Sequence, residues 1–533
     1  MAGFVREIAS RYGPREALCW RDQQGHKQSW SYAELFQESQ RVARALLASG
    51  IGKDARVGVL ISNRPEWLFS MFGISLAGAV TVALNTFSTR NELESQLALA
   101  DVEFLILENE VASHNFLHDL SEICPELIDA RPGQVYCKQL PYLRRVVSLY
   151  ECKQLKAVQN WPEFLAQAES IDASLVEKTA DAVNPVDCGF IFFSSGSTSQ
   201  PKAIRQTHRS AALQSWRCGN IWYQLDKDVR TWSANGFFWS GNFVLGMGST
   251  LGVGGCLILQ RYFIPEQTLE LIEQEQVTLP VCWPHQEARL RECSNWASVN
   301  LSSIYYVDKN SALLSHPTIT SNWRGPQGYG LTETFTFITA RPAGDKEGIG
   351  HGNVMPGNTL RIVDPLSGEL VAMGESGEIT VKGPTLTPGY LKVPPEKIFD
   401  TDGFFHTGDE GYFDSEQRLI WKGRLSDIIK TGGANVSPAE IDEAIDQHPA
   451  VQGAYTVGVP DDDLGEMVVA CVVLRTGEKV TEETLRQFAR QTLASYKVPR
   501  RVLFYAEEEL PVTGTNKVRR KELAAMAAIR LAG

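Results

Sequence analysis

The stretch Phe193-Ser194-Ser195-Gly196-Ser197-Thr198-Ser199-Gln200-Pro201-Lys202 decides how the rest of the chain is read. A short apolar run, Gly189 to Phe193, leads into it and predicts a buried strand. The stretch itself is small, hydroxylated and flexible, and it ends in a lysine. Consecutive backbone N–H groups in such a turn, with the hydroxyls of Ser194, Ser195, Ser197 and Thr198 around Gly196, can surround the oxygens of a polyphosphate. Lys202 adds a point charge. Gly196 and Lys202 fall at P-loop spacing, yet Pro201 stands where the second glycine belongs and donates no N–H. Ala203 also lacks the hydroxyl that a P-loop turns toward magnesium, so this is a different motif. Taken alone, a surface Ser/Gly loop explains the stretch equally well.

The surrounding composition narrows the choice. At 533 residues the chain has length for several domains or subdomains with large cores. Its formal charge of −12, from 51 basic and 63 acidic residues, and the lack of a strongly basic block argue against a nucleic-acid partner. Ten cysteines are scattered singly without CxxC pairs, and the residues Met1 to Glu7 hold no signal-peptide core. The expectation is reduced thiols in a cytoplasmic protein, with neither zinc site nor disulfide frame. Thr231 to Gln260 carries no charge and is long enough to span a bilayer, but it holds seven glycines and two asparagines. A buried helix followed by a core strand, Cys256 to Leu259, is the expected structure there, not a membrane span.

Along the chain, Ser31 caps an amphipathic helix that runs through Val42 and Leu46 to a stop at Gly50. Arg56 to Ile61 predicts a strand, Glu66 to Leu76 a helix, Ala79 to Ala83 a strand and Phe104 to Leu107 another. This alternation argues for a largely parallel sheet covered on both faces. Val111 to Pro185 is less regular, and no internal repeat is evident. Thr207-His208 opens a further helix, where a histidine reads as structural before catalytic.

Four later runs carry chemistry. Gln327-Gly328-Tyr329-Gly330-Leu331-Thr332-Glu333 combines glycines that allow close backbone approach to a flat ligand, a stacking face on Tyr329, and a hard oxygen on Glu333 suited to magnesium. Gly403 to Asp409 places a carboxylate directly after a glycine turn, where Asp409 can accept both hydroxyls of a ribose. Gly423-Arg424-Leu425-Ser426 leads to the turn Thr431-Gly432-Gly433-Ala434-Asn435. From about Leu425 helices at Pro438 to Gln447 and Glu482 to Leu493 alternate with strands at Gly453 to Val457 and Val468 to Leu474. They predict a small α+β domain whose tail carries Thr513-Gly514-Thr515-Asn516-Lys517.

Together, in this order and spacing, the runs resemble the adenylate-forming superfamily of acyl- and aryl-CoA synthetases, nonribosomal adenylation domains and luciferases, from about Trp30 to Lys521. The resemblance implies an α/β fold: a large N-terminal domain, 1–424, of doubly covered sheets with a β-barrel-like subdomain, and a small mobile α+β domain, 425–533. It implies that ATP and a small carboxylic acid give an acyl-adenylate, which CoA then converts to a thioester. Ser194 to Lys202 would hold the ATP phosphates. In the run Gln327 to Gly330, Gly328 and Tyr329 would border the adenine; Thr332 would meet the AMP phosphate and Glu333 would bind Mg²⁺. Asp409 and Arg424 would bind the ribose, Lys517 would bridge carboxylate and ATP, Ser426 would be the hinge, and Gly432-Gly433 would line the pantetheine tunnel. A carboxylate is a weak nucleophile and must approach an anionic phosphate, so cations at this point lower the barrier.

The chain departs from the family pattern in several places. Ser199 and Ala203 replace glycines of the phosphate loop, Asn516 replaces the glycine before Lys517, and Ser426 stands where an aspartate or lysine is commoner. At the acyl pocket, Phe238 and Trp239 belong to an aromatic wall with Phe237 and Phe243. Trp239 takes the place of a histidine, and Asn310-Ser311 that of a glycine pair. The alternatives to a CoA ligase are a stand-alone enzyme that loads a carrier protein, a luciferase-like oxygenase, and a nucleotide- or acyl-binding pseudoenzyme. Lys202, Glu333, Asp409, Arg424 and Lys517 are all in place, which speaks against the last. The run Phe237-Phe238-Trp239-Ser240 lacks the aspartate with which amino-acid activators meet an α-ammonium. Pyrophosphate exchange should therefore be slower with phenylalanine than with phenylpropionate; the reverse order would show that the pocket pairs the ammonium by other means.

Overall fold

The strand expected before the Ser/Gly stretch is Cys188–Ser194 in the computed structural model. The structure describes residues 1–22, 25–112, 114–194, 202–345, 350–427, 429–431, 434–461, 464–491, 493, 497–512 and 517–532. These form two compact units, Met1–Asn358 with Lys382–Gly403, and Thr359–Val381 with Phe404–Gly533.

The first unit is built on two sheets. The larger has seven strands in the spatial order Lys202–Thr207, Cys188–Ser194, Val80–Ala83, Arg56–Leu60, Phe104–Leu107, Arg145–Ser148, Val158–Asn160. All neighbours are parallel except the first pair, which forms the two arms of the Ser/Gly loop. A parallel sheet needs cover on both faces, and its side chains alternate accordingly. Phe104 and Ile106 enter one core with Trp67, Met71, Leu35 and Val42 from the helices Pro65–Leu76 and Tyr32–Ala48. Leu105 and Leu107 enter the other with Leu93, Leu97 and Leu120 from Arg90–Leu99 and Phe116–Ile123. The Tyr32 helix begins as expected: Ser31 accepts from Glu34 N, and Glu34 answers back to the Ser31 backbone. The two strands Arg145–Ser148 and Val158–Asn160 lie in the stretch read as irregular; at four and three residues they carry too little periodicity to be seen in sequence.

The second sheet runs Leu279–Val281, Arg230–Ser233, Cys256–Leu259, Glu16–Arg21, Lys27–Ser31. Only its last pair is antiparallel. The uncharged segment resolves as foreseen into buried helical turns from Ser240 to Val253, the middle ones π-wound, followed by the strand Cys256–Leu259. Among the described residues no helix is long and apolar enough to cross a membrane.

The second unit holds a four-stranded sheet, Thr359–Val363, Gly377–Lys382, Phe405–Phe413, Leu419–Arg424. Beyond it lies the α+β fold: Ala434–Val436, Ile429–Thr431, Gly465–Leu474 and Val451–Asp461 form an antiparallel sheet, and Arg501–Phe504 adds in parallel to Gly465–Leu474. Pro438–Asp446 and Glu482–Ala489 cover one face and Arg520–Ala532 the other.

One buried carboxylate joins the two sheets of the first unit. Glu108, just past Phe104–Leu107 and without solvent exposure, accepts from Ser62 Oγ at 2.6 Å and Ser62 N at 3.1 Å. It also accepts from Arg64 Nη1 at 3.3 Å and from Arg261 Nε at 2.6 Å, the latter just beyond Cys256–Leu259 of the second sheet. Replacing Glu108 with alanine takes the shared buried carboxylate from both guanidinium groups, leaving Arg64 with Glu66 and Arg261 with the Glu110 carbonyl, and breaking such a buried pair costs roughly 3–5 kcal/mol. Equilibrium unfolding should show a loss of this size; a change under 1 kcal/mol would mean that the arginines find water instead.

Candidate active site

The run that follows Gln327 folds as a tight hairpin. Gly330 pairs with Phe337 and Leu331 with Thr336, so residues 332–335 are its loop and Thr332-Glu333 its tip. The strands approach so closely that a Cβ on Gly330 would lie 2.0 Å from Thr336 O, which excludes any other residue. Thr334 Oγ1 accepts from Leu331 N at 2.9 Å and donates to Thr336 O at 2.6 Å. Phe335 and Thr336 take positive φ, 50° and 84°, a conformation costly for a β-branched residue.

What holds this strained loop is the strand that leads into the Ser/Gly stretch. Phe335 is fully buried, its ring 5.4 Å from those of Phe192 and Phe243 and 6.3 Å from Phe190. On the returning strand, buried Gln206 donates Nε2 to Thr332 O at 2.6 Å and Glu333 O at 3.2 Å. Thr387 N donates to Glu333 O at 2.6 Å, and Thr387 Oγ1 to Arg205 O at 2.6 Å. The hairpin tip is thus held against the strand that begins with Lys202, at Gln206, which lies opposite Phe190 in the register. Lys202 opens the returning strand, exposed, with Nζ 5.0 Å from the centre of the Tyr390 ring. The Tyr390 hydroxyl donates to Glu333 Oε1 at 2.8 Å. Ser194 closes the incoming strand, paired with Lys202. Ser195, Gly196, Ser197, Thr198, Gly432 and Gly433 lie outside the described residues.

Gln327 is tied to Arg341 by reciprocal backbone bonds and receives Trp222 Nε1 on its carbonyl at 2.9 Å. Gly328 leaves no space for a side chain, a Cβ there lying 2.5 Å from Thr339 O. Tyr329 N donates to Thr339 Oγ1 at 2.9 Å, and the residue is only 6% exposed.

The aromatic wall divides. Phe237 and Phe243 pack on Trp67 in the core, with centroids 5.2 and 6.1 Å away. Phe238 and Trp239 stack edge-to-face at 5.0 Å and extend outward to Phe87, which is 63% exposed and 5.9 Å from Phe238. Phe87 gave no signal in sequence, since a lone phenylalanine among turn residues has no pattern. Asn310 and Ser311 sit in a turn: Asn310 N donates to Asp308 Oδ1 at 3.0 Å and Ser311 Oγ accepts from Leu313 N at 3.2 Å. The helix Pro284–Arg291 links this turn to the aromatic run. Glu287, raised in pKa by burial, accepts from Ala312 N at 2.8 Å, and Gln286 donates to Asn235 Oδ1 at 3.2 Å. His208 is buried against Phe190, and burial pushes its pKa down to about 3, which leaves it neutral and structural.

In the second unit, Asp409 and Arg424 are directly opposed on adjacent strands. Arg424 Nε lies 2.9 Å from Asp409 Oδ1, Nη1 donates to Thr407 O at 2.9 Å, and the Asp409 side chain is 2% exposed. Gly408, at φ 69°, sets the bend that precedes it, and its N–H is held by Glu378 Oε1 at 2.9 Å. Ser426 falls in the short turn Leu425–Asp427. Lys517 is exposed beside Val518, which bridges Val512, and Arg520 anchors the following helix on Asp442 at 2.5 Å.

The sequence matches the AMP-binding enzyme family over residues 5–391 and the C-terminal domain of AMP-binding enzymes over 440–517. The chain therefore belongs to the AMP-binding, adenylate-forming enzymes. It is 30% identical to the acyl-CoA ligase sidI of Aspergillus fumigatus, over 94% of this chain and 86% of that protein. It is 28% identical to a long-chain-fatty-acid–CoA ligase of Bacillus subtilis, over 98% and 94%. Its fold resembles that of the anthranilate CoA ligase AuaEII, crystallised with anthranoyl-AMP, with a TM-score of 0.82, 24% identity, and coverage of 100% of this chain and 98% of that one.

Gln206, like Phe87, gave no signal in sequence, because a glutamine on a strand has no motif of its own. Gln206→Leu preserves size but removes the donor from two carbonyls at the hairpin tip, at roughly 1–3 kcal/mol. Pyrophosphate exchange should fall about ten- to hundredfold with a folded protein by circular dichroism; an unchanged rate would show that Phe335 and Thr387 suffice.

Proposed function

We propose that the protein is an AMP-forming carboxylic acid–CoA ligase working in two half-reactions. In the first, the acid's carboxylate attacks the α-phosphorus of ATP, forming the acyl-adenylate and releasing pyrophosphate. In the second, the CoA thiol attacks the acyl carbon, forming the thioester and releasing AMP. The observation that carries this reading is the clamp of Gln206 on Thr332-Glu333, which brings a carboxylate-bearing tip to the strand that begins with Lys202. The likeness to acyl-CoA ligases supports CoA as the acceptor over a carrier protein.

In this reading Ser194 to Lys202 hold the phosphates, Gln327 to Gly330 border the adenine, and Thr332 meets the α-phosphate. Asp409 and Arg424 take the ribose, the buried carboxylate being oriented by its arginine. The residues fit a magnesium ion: Glu333 is a half-buried hard oxygen donor beside a proposed phosphate site, and one or two carboxylates plus substrate phosphates are how this ion is commonly held. When bound, Mg²⁺ supplies charge neutralisation on the phosphates. Phe238, Trp239 and exposed Phe87 favour an apolar or aromatic acyl group, and in this reading Asn310-Ser311 would belong to the acyl pocket as well. The ten unpaired cysteines favour a cytoplasmic setting.

Lys517 would neutralise charge as carboxylate and phosphate meet, a duty of the first half-reaction only. The functional boundary would then be Arg424/Leu425, with 1–424 and 425–533 as the moving parts, Ser426 as the hinge and Gly432-Gly433 lining the pantetheine path. Lys517→Ala should slow adenylation about a hundred- to thousandfold, the effect of losing roughly 3–4 kcal/mol of preorganised electrostatic stabilisation. Thioester formation from supplied acyl-AMP and CoA should stay within a few-fold of wild type. Ser426→Pro should do the reverse, since the ring restricts the φ change that rotation needs. Equal slowing of both steps by Lys517→Ala would make the lysine structural. Acyl-AMP that accumulates in the presence of CoA, for every acid adenylated, would point to another acceptor.

A further inference from the structure

We infer that Tyr390 is a positioning residue for the phosphate-and-metal end of the site. Its hydroxyl orients the Glu333 carboxylate and its ring faces the Lys202 ammonium. The inference rests on the reading of Glu333 as the metal-binding carboxylate proposed above.

The chain goes to some length to put this ring there. Gly389 takes φ +119°, and a Cβ at this position would come within 3.1 Å of Ile398 and 3.4 Å of Arg205, so only glycine makes the turn into Tyr390. Tyr390 then pairs with Ile204 as an antiparallel bridge, while Leu391 N donates to Ala203 O at 2.8 Å and Arg205 N to Gly389 O at 3.1 Å. Three residues earlier, Thr387 N holds Glu333 O at 2.6 Å. The segment 387–391 is thus registered at once to the strand that begins with Lys202 and to the hairpin tip that carries Glu333.

The ring is 9% exposed, and its two ends do different work. The hydroxyl donates to Glu333 Oε1 at 2.8 Å, a bond to a charged acceptor and hence stronger than one to a neutral carbonyl. It occupies one lone pair of one oxygen and fixes the carboxylate plane, leaving Oε2 and the other lone pairs to meet a cation. Outer partners of this kind commonly orient metal-binding carboxylates. The face of the ring lies 5.0 Å from Lys202 Nζ, within reach of a cation–π contact. One side chain therefore spans both groups that would face the phosphates.

The test uses the full-length protein and Mn²⁺ as a paramagnetic probe. Tyr390→Phe keeps the ring and removes the hydroxyl; Tyr390→Leu removes both. With Tyr390→Phe, Mn²⁺ bound by the enzyme–ATP complex, read by electron paramagnetic resonance, should be held about 10–100-fold more weakly. The Mg²⁺ concentration for half-maximal pyrophosphate exchange should rise in step, and excess Mg²⁺ should restore the rate. Metal-free ATP affinity and the unfolding midpoint should stay at wild-type values for Tyr390→Phe, while Tyr390→Leu should also weaken metal-free ATP binding. Wild-type Mn²⁺ affinity in Tyr390→Phe would overturn the inference, as would equal losses of midpoint and metal-free ATP binding in the two variants. Glu333→Gln separates the two levels. If it leaves Mn²⁺ affinity unchanged, the metal reading of Glu333 itself fails. If it weakens Mn²⁺ and Tyr390→Phe does not, only the role of Tyr390 falls.

Discussion

Phe335 sits without solvent exposure among Phe190, Phe192 and Phe243, and the candidate site depends on that contact. Phe190 and Phe192 alternate along one strand and so face the same side of the sheet, which makes a fixed wall for the hairpin to lock into. The same two rings thereby set the position of the hairpin that carries Thr332 and Glu333 against the strand Cys188–Ser194. Gln206 and Thr387 then trim the tip through its carbonyls and hold its backbone on both sides.

The cost of this arrangement is visible in the backbone. Phe335 and Thr336 both take positive φ, and such conformations cost roughly 1–3 kcal/mol each. Burying a phenylalanine side chain contributes about 1.5–3 kcal/mol, enough to offset much of it. The loop bonds of Thr334 and the Gln214 donation to Phe337 O at 2.7 Å add to the hold. A loop kept in a sparsely populated conformation by surrounding structure is fixed before ligand arrives, which favours electrostatic preorganisation over rearrangement.

The second unit solves a similar problem with a different device. Asp409 and Arg424 face each other across an antiparallel pair, so register alone brings acid and base together. Glycine at 408 makes the bend and Glu378 holds it. Where the first unit relies on aromatic packing, this one relies on strand register and charge.

Much was legible in the chain itself. The βαβ alternation from Arg56 to Leu107, the cap at Ser31, the buried uncharged segment and the α+β texture after Leu425 appear where periodicity and turn residues predicted them, because these signals are local. The glycines beside Glu333 and Asp409 were equally readable, since Gly330 admits no side chain and Gly408 takes a positive φ. Other features required the tertiary structure. Short strands such as Arg145–Ser148 and Val158–Asn160 have too few residues to show a period, and their place is set by the sheet edge they extend. Phe237 and Phe243 read like Phe238 and Trp239 in sequence, yet the first pair packs on Trp67, while buried Phe238 and half-buried Trp239 also meet exposed Phe87. Gln206 and Tyr390 carry no pattern because their partners are 126 and 57 residues away. Sequence determined which groups are available and which stretches bend; the meeting of distant side chains is a property of the folded sheet, since only there do the ends of separate strands share one edge.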